Sequence, residues 1–385
     1  MPEAIKYVID AAAGFALLMA LLVVFVVDRV FFSSAAAPTV NTLTNVTFYE
    51  DKGRDVKRLK LAVTPTGSFK DGFTNKVEKW DDMSKLLHEL GDGYRHDNLT
   101  MEDVIGPRKL SEYDVVFLTC ADGYEDELKN TLQDYVTKGG ILYASDWRYK
   151  AIAKAFPEMV AKNLQQDGEK QELEADIVDA GLREALGAKK IHLRFDLPEW
   201  KPAAFGGPRV KVLLQGSYVK FKAGGQRATA PLMVKFPVGK GTVVFTSFHN
   251  EKQNSRIETQ LLKYLVFSLV TAGVDAEVNT QMDKGGFTAQ RSNLLSTPGL
   301  QTTEPKTYAN KNAGDLRFVL GFRNEGAKLR LNIKSPDGKQ FTKDCESTLV
   351  VDVTGAAVGD WTYTVTALSL PYPNFPFTVT VGEKK

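Results

Sequence analysis

The chain has 385 residues, with 49 lysines and arginines against 47 aspartates and glutamates, so its formal net charge at pH 7 is only +2. This length allows two domains or one large domain with additions, and the near balance of charge gives no support to nucleic-acid binding, which needs a concentrated basic surface. The two cysteines, Cys120 and Cys345, are far apart and show no metal-binding spacing. We therefore expect two buried thiols, no metal site and no cofactor.

The N-terminal segment is strongly apolar. Residues 11–27 are uninterrupted apolar sequence, and shorter apolar runs extend it over residues 7–32. Because about 20 helical residues cross a hydrocarbon core of about 30 Å, residues 1–32 predict a transmembrane anchor that contacts the lipid bilayer through residues 7–32. A cleaved signal peptide is the alternative, but the charged pair Asp28-Arg29 and the two phenylalanines after it make the cleavage region too long.

The charges around this segment predict its orientation. Lys6 and the α-amino group precede it, whereas Arg29 alone follows it before Lys52. The positive-inside rule therefore favours an N-terminus inside and soluble domains that are extracytoplasmic. The next residues, 33–48, are mostly small, polar and uncharged, which is typical of a flexible tether. The expected localisation is a single-pass membrane protein.

The first globular domain is predicted over residues 49–273. Tyr113–Cys120 is a continuously apolar run, a helix-like segment follows over Glu125–Lys138, and a second apolar run begins after Gly139-Gly140. Continuously apolar, β-branched runs are typical of strands buried on both faces, as in parallel sheets. Strand–helix alternation therefore predicts an α/β fold, flavodoxin-like and doubly wound, with a mainly parallel sheet.

The rest of this domain is predicted from local patterns. We expect an insertion at about 151–230 that contains a charged helix over 165–186. The turn at 237–241 joins two apolar runs and predicts a β-hairpin, and an amphipathic helix is expected over Ser255–Thr271.

The C-terminal third differs from the α/β domain in composition and in hydrophobic pattern. Residues 274–312 are rich in Thr, Asn, Gln, Gly and Ser, and we interpret them as a linker. Residues 313–385 contain five short alternating runs and the turn signal Ser335-Pro336-Asp337-Gly338, which together predict a small antiparallel β-sandwich.

The candidate chemistry lies where the second apolar run of the α/β domain ends. Gly139–Trp147 reads as a strand that turns sharply into a helix, and in α/β enzymes such an elbow exposes a nucleophile above the sheet. His249-Asn250-Glu251 follows the second strand of the late hairpin. These features resemble the class I glutamine amidotransferase-like fold, and the Gly-Lys-Gly turn before a His resembles its ThuA-like branch. His249 and Glu251 match the family's His-x-Glu pattern.

The elbow itself departs from the family. The nucleophile position falls on Asp146, or on Ser145 with a one-residue shift, and neither is the expected Cys. Glutamine hydrolysis needs a thiolate activated by a neighbouring His, so the resemblance implies a degenerate site. Ser145 or Asp146 with His249 and Glu251 is nevertheless a candidate hydrolase set. The alternatives are that Ser145 and Asp146 cap the following helix, or that the strand ends form a small-ligand pocket, which could bind a sugar.

The C-terminal sandwich resembles immunoglobulin-like and pre-peptidase C-terminal modules of bacterial proteins, which bind partners or act as spacers. We therefore expect a non-catalytic, membrane-anchored scaffold or sensory component that binds protein partners, and that could form an oligomer. The two alternatives are the hydrolase and the small-ligand binding module.

Overall fold

The computed structural model describes residues 45–51, 59–70, 77–106, 109–163, 166–253 and 255–384. Its strands are β1 (Asn45–Asp51), β2 (Leu61–Val63), β3 (Ser68–Lys70), β4 (Val77–Lys79), β5 (His96–Asn98), β6 (Val115–Leu118), β7 (Ile141–Ser145), β8 (Gln171–Ile177), β9 (Lys190–Phe195), β10 (Lys211–Val219), β11 (Arg227–Val238), β12 (Gly241–Thr246), β13 (Phe287–Thr297), β14 (Lys306–Asn310), β15 (Gly314–Phe322), β16 (Lys328–Lys334), β17 (Gln340–Cys345), β18 (Thr348–Ala356), β19 (Gly359–Ser369) and β20 (Phe375–Lys384).

The helices lie mostly in the first two thirds of the chain. The α-helices are α1 (Met83–Leu90), α2 (Met101–Ile105), α3 (Glu125–Thr137), α4 (Tyr149–Ala155), α5 (Ala180–Leu186), α6 (Arg256–Val270) and α7 (Ala272–Lys284). Short 3-10 helices cover Asp92–Tyr94, Leu110–Glu112, Asp146–Arg148, Pro157–Met159 and Asn250–Lys252.

A nine-stranded mixed sheet forms the centre of the first region, in the order β5-β2-β6-β7-β12-β11-β10-β8-β9. The first five strands run parallel, and β6, β7 and β12 are in register through pairs such as Val115 with Ile141 and Ile141 with Thr242. The remaining strands add on by antiparallel pairing. Side chains alternate between two hydrophobic cores, so that Phe117 packs on one face and Val116 on the other.

The predicted mainly parallel fold class is wrong. The structure is about 44% strand and 26% helix. Of the sixteen strand pairings within named strands of the described residues, only four are parallel. Parallel pairing needs a long crossover connection, whereas adjacent strands can join antiparallel through a tight turn. Crossovers that contain helices connect the five parallel strands, whereas β11 joins β12 through a short turn and pairs with it antiparallel.

The charged helix predicted over 165–186 is also corrected. Its centre is strand β8, and only its last part is the helix α5. Within β8, Leu173, Ala175 and Ile177 are buried, while Glu174 and Asp176 between them are exposed. A repeat of two residues is the signature of a strand with one buried face, and it overrides the helix propensity of glutamate.

Two local predictions are confirmed. β11 and β12 form the expected antiparallel hairpin, and the helix after it begins with a capping box in which Ser255 and Glu258 bond each other's backbone. The hairpin turn contains Gly239 at a φ of +56°, and a Cβ there would lie 2.6 Å from the carbonyl oxygen of Thr137. Glycine is therefore required at this turn both for its backbone angle and for space.

The C-terminal region consists of two antiparallel sheets. One has the order β1-β18-β15-β20-β13 and the other β14-β19-β16-β17. Phe318 and Val351 from the first sheet and Leu331 and Trp361 from the second belong to one hydrophobic core. Residues 274–312, interpreted as a linker, contain α7, β13 and β14. The end of the predicted tether contributes β1, which pairs with β18.

The two regions contact each other directly. The hydroxyl of Tyr94, beside the nine-stranded sheet, donates to the carbonyl of Asn374 at 2.8 Å, and its ring packs edge-on against Tyr372. At Gly321 of β15 an added Cβ would lie 2.4 Å from Val278 of α7, so this helix lies close against the sheet.

The predicted anchor, residues 7–32, lies outside the described residues. Within the ranges that the structure describes, no helix is both long and apolar enough to cross a membrane. The described structure therefore contains no counterpart of the transmembrane helix in the predicted fold class, and it gives no support to the predicted single-pass membrane localisation with extracytoplasmic domains.

Candidate functional site

The elbow is formed where β7 ends. All five residues of β7 are buried, and Asp146, the first residue of the following 3-10 helix, has a φ of +43°. A left-handed backbone at a residue other than glycine is uncommon, and it reverses the chain sharply between strand and helix. β6, β7 and β12 are parallel neighbours, so the segments after Leu118, Ser145 and Thr246 meet at one edge of the sheet. This is the edge at which open α/β sheets bind ligands.

Ser145 is held by a carboxylate rather than by the histidine. Its hydroxyl donates to Oδ2 of Asp81 at 2.6 Å. The other oxygen of Asp81 accepts from the backbone N–H of Asn250 at 3.3 Å. The amide side chain of Asn250 contacts the hydroxyl of Tyr143, which lies 2.8 Å from Oγ1 of Thr246. Ser145 therefore belongs to a buried polar network that joins the ends of β7 and β12.

His249 lies between two aspartates. Its Nδ1 is 2.9 Å from Oδ1 of Asp196, and its Nε2 is 3.2 Å from Oδ2 of Asp146. The second contact lacks hydrogen-bond alignment, so the buried Nε2 has no hydrogen-bond partner among the described residues. Oδ1 of Asp146 accepts from the backbone N–H of Lys201 at 2.7 Å. The structure thus brings Asp146 and His249 together.

The charges of this cluster are strongly coupled. Burial acts to lower the pKa of His249, but its contacts with Asp146 and Asp196 outweigh burial and raise that pKa well above its usual value. Burial raises the pKa of Asp146, although His249 opposes the change. Burial acts to raise the pKa of Asp196, but the hydrogen bond with His249 outweighs burial and lowers that pKa. These contacts favour the protonated form of His249, and a protonated imidazole cannot act as a general base.

Glu251, the predicted orienter, lies in the 3-10 helix Asn250–Lys252, and its side chain lies outside the described part of the structure. Asp196, which is not part of the His-x-Glu pattern, is the carboxylate on Nδ1 of His249. No local pattern marks Asp196, because it is 53 residues from His249 and follows strand β9.

Cys120 reaches the same cluster from the end of β6. Its Sγ lies 3.7 Å from Oδ2 of Asp146, and its side chain is fully buried. Burial raises the pKa of this thiol to about 11, and Asp146 adds to the rise. Because the thiolate is the nucleophile, a thiol with this pKa is inert at neutral pH. The sequence assigned Cys120 to the preceding strand, and the parallel pairing of β6 with β7 is what brings it beside Asp146.

The loop after β6 is fixed by a buried arginine. Nε of Arg148 donates to the carbonyl of Thr119 at 3.2 Å, and its NH1 donates to the carbonyl of Gly123 at 3.1 Å. Arg148 is only 1% exposed, and burial lowers the pKa of its guanidinium. These contacts fix the position of Cys120 relative to the elbow.

The elbow is closed to solvent. Ser145, Asp146 and His249 are 0%, 1% and 3% exposed. The adjoining space is a narrow cavity with no room for a water molecule. It is lined by Asp146, Phe195, Asp196, Leu197, Trp200, Ser247, Phe248 and His249. Trp200 stacks on Phe195 with ring centroids 4.0 Å apart, so the segment after β9 covers the strand ends.

A much larger cavity lies elsewhere, between the nine-stranded sheet and the C-terminal sheets. Its volume is about 1070 Å³, and α5, α6, α7, β13 and β14 contribute to its walls. Charged pairs line it: Lys211 lies 2.6 Å from Asp179, Lys235 lies 3.9 Å from Asp275, and Arg291 binds Glu184. The elbow thus has reactive groups without space, whereas this cavity has space without a nucleophile–base pair.

Comparisons with known proteins define the similarity of the chain only coarsely. No family model matches the sequence, and no match was found among curated proteins. Among solved structures, the chain is similar to amidotransferase-like and ThuA-like proteins. A putative ThuA-like protein from Bacteroides uniformis is 15% identical with a TM-score of 0.36, covering 56% of this chain and 92% of that one.

Two further structures show the same level of similarity. A protein described as a putative GMP synthase component, from Thermoplasma acidophilum, is 12% identical with a TM-score of 0.37, covering 58% of this chain and 99% of that one. A glutamine amidotransferase from Thermotoga maritima is 16% identical with a TM-score of 0.30, covering 59% and 86%. At TM-scores this low, these similarities establish nothing about activity, and the function has to be argued from the site.

Proposed function

We propose that this chain is a non-catalytic binding protein built on an amidotransferase-like domain. The observation that carries the proposal is the closed elbow, where Ser145, Asp146 and His249 are at most 3% exposed and the adjoining cavity has no room for water. A hydrolase must bring both substrate and water to its nucleophile. The packing of Phe195 and Trp200 over the strand ends excludes both.

The bonding at the elbow supports the same conclusion. The hydroxyl of Ser145 is committed to Asp81, and both nitrogens of His249 face carboxylates. Nucleophilic catalysis needs the hydroxyl and a neutral imidazole within hydrogen-bond reach of each other. The predicted hydrolase set of Ser145 or Asp146 with His249 and Glu251 is therefore the less favoured function.

Binding of protein partners, and assembly into an oligomer, belong to this proposal. Such surfaces are normally apolar patches. Among the described residues the exposed large hydrophobic side chains come from six separate segments: Tyr49, Val77, Tyr124, Val178, Leu300 and Val358. This distribution favours a polar partner surface over an apolar one.

The second candidate function is binding of a small polar ligand in the large cavity. A volume of about 1070 Å³ is at the upper end of the range for ligand sites, which often lie between domains. Arg291 lines the cavity, and its Nε is buried without a hydrogen-bond partner in the described structure. A hydroxyl or carboxylate oxygen of a ligand would satisfy this donor. A sugar or a small organic acid has that chemistry.

An activity assay tests the main proposal. We expect purified full chain to hydrolyse neither glutamine nor p-nitrophenyl acetate above the buffer rate. Hydrolysis that Ser145→Ala abolishes would replace the proposal with the hydrolase. Ser217→Ala, at an exposed serine of β10, is the matched control and should leave any such activity intact.

Isothermal titration tests the second candidate with three probes, glucose, galactose and citrate. We expect heat of binding for at least one probe, lost in Arg291→Leu and kept in Arg330→Leu. Arg330 lies in the four-stranded sheet, whereas Arg291 lies in the five-stranded sheet. Arg330 pairs with Asp344 and does not line the cavity. No heat with any probe, or equal loss in both variants, would reject this candidate.

A further inference from the structure

Three potential metal ligands from distant parts of the chain converge at the closed elbow. Sγ of Cys120, a carboxylate oxygen of Asp146 and Nε2 of His249 all lie within 4.8 Å of one another. They follow the neighbouring strands β6, β7 and β12, and all three side chains are buried. The hydrolase considered above, with either Ser145 or Asp146 as the nucleophile, leaves Cys120 without a role.

Two of the three separations between these atoms are close to those around a tetrahedral metal ion. Zinc binds sulfur at about 2.3 Å and nitrogen or oxygen at about 2.0–2.2 Å. Tetrahedral angles then place neighbouring ligand atoms roughly 3.3–3.6 Å apart. The observed separations are 3.2 Å from Asp146 Oδ2 to His249 Nε2 and 3.7 Å from Cys120 Sγ to Asp146 Oδ2.

The orientation of the histidine is an independent observation. His249 is 3% exposed, and its Nε2 points into the cluster without a hydrogen-bond partner among the described residues. Its other nitrogen is held by Oδ1 of Asp196 at 2.9 Å. Metal-binding histidines almost always donate their second N–H to a carboxylate or carbonyl, which fixes the ring and raises its basicity as a ligand.

We propose that Cys120, Asp146 and His249 bind a zinc ion, with Asp196 orienting His249. A thiolate, an imidazole and a carboxylate form a mixed ligand set that suits zinc better than magnesium or calcium, which prefer oxygen alone. Binding displaces the thiol proton of Cys120 and the Nε2 proton of His249, which are released to solvent. The thiolate and the carboxylate together then balance the charge of Zn²⁺.

The role that follows for this ion is structural. Catalytic zinc sites keep a fourth position open to water, whereas structural sites are closed. The space beside Asp146 and His249 has no room for water. Ser247, whose buried Oγ has no hydrogen-bond partner in the described structure, lines that space and offers an oxygen for the fourth position. The ion would join three strand ends, and this inference goes beyond the proposed binding function.

Metal analysis of the full chain tests the inference. We expect protein expressed with zinc supplementation to hold about one zinc ion per chain by mass spectrometry. Cys120→Ser should lose it. Cys345→Ser, at the other buried cysteine, should keep it and is the matched control. Wild type without stoichiometric zinc, or zinc retained by Cys120→Ser, would overturn the proposal.

A second measurement covers the case in which Cys120→Ser does not fold. Refolding the wild-type chain and Cys345→Ser with Co²⁺ should give a sulfur-to-cobalt charge-transfer band in the near ultraviolet in both proteins. Absence of the band from both would overturn the site, and its absence from Cys345→Ser alone would place the ion at Cys345 instead. A zinc-free chain without hydrolase activity would reject the metal site and leave the binding function standing.

Discussion

The elbow and the large cavity differ in what each provides. The elbow brings a thiol, an imidazole and two carboxylates within contact distance but excludes water. The cavity between α5, α7 and β13 has about 1070 Å³ of space, but its charged side chains are arranged as pairs such as Lys211 with Asp179. Reactive groups and access are thus found in separate places.

This separation explains why an enzyme-like motif does not imply an enzyme. Catalysis requires reactive groups and solvent access at one position, because substrate must reach the nucleophile. In this chain the strand ends that carry the motif are covered by Phe195 and Trp200. The buried network stabilises the sheet, and the proposed binding would use other surfaces.

The largest expected effect comes from removing the histidine at the elbow. His249→Ala leaves the buried Asp146 and the partly buried Asp196 without their shared cation, so unfolding free energy should fall by about 3–5 kcal/mol. Urea denaturation measures the loss. His192→Ala is the control, because His192 is 48% exposed and its contacts with Glu172 and Glu258 are partly solvated, so that its loss should cost less than about 1 kcal/mol. Equal losses in the two variants would show that the elbow is hydrated.

A matched pair of serine-to-leucine substitutions compares the two spaces directly. Ser247→Leu adds volume to the narrow cavity and should cost about 1–3 kcal/mol or more, because overpacking forces neighbouring side chains off their rotamers. Ser268→Leu adds the same volume to the wall of the large cavity and should cost less than about 1 kcal/mol. Thermal or urea unfolding gives both values. The reverse order would mean that the narrow cavity opens.

The smallest expected effect is a dependence on pH at the cavity. Burial raises the pKa of Asp275 above its ordinary 3.8, while Lys235 and Lys211, which face it, oppose the rise. A carboxyl group with a raised folded pKa binds more protons in the folded state, so stability falls as pH rises through that pKa. Unfolding free energy of the wild type relative to Asp275→Asn should therefore fall between pH 4 and neutral pH. A constant difference would contradict the raised pKa.

Local features of the fold were predictable from sequence. The β11–β12 hairpin and helix α6 follow from a glycine-rich turn and from the Ser255–Glu258 capping box, signals that involve adjacent residues only. The error at β8 arose because Glu172 and Glu174 favour a helix by composition, whereas tertiary burial of the alternate residues selects a strand. Strand direction in the second half of the sheet depends on which strands meet, and local pattern does not contain that information.

The candidate site was predictable only in part. Asp146 and His249 could be placed together because the resemblance supplied a motif for both strand ends. The sequence could not place Asp81, Asp196 and Cys120 at this site. Each comes from a separate segment, and no sequence motif links it to the others. Asp81 lies 64 residues from Ser145 along the chain. The available sequence signal for Asp81 and Asp196 was that each is an aspartate that follows a strand.

The long separations within the elbow cluster also bear on how the protein unfolds. Its members come from the ends of β6, β7, β9 and β12, and we expect their contacts to form after the strands have paired. Interactions that are absent from the folding transition state leave the folding rate almost unchanged and slow unfolding instead. We therefore expect the cluster to slow unfolding and so to lengthen the lifetime of the native state in the presence of proteases.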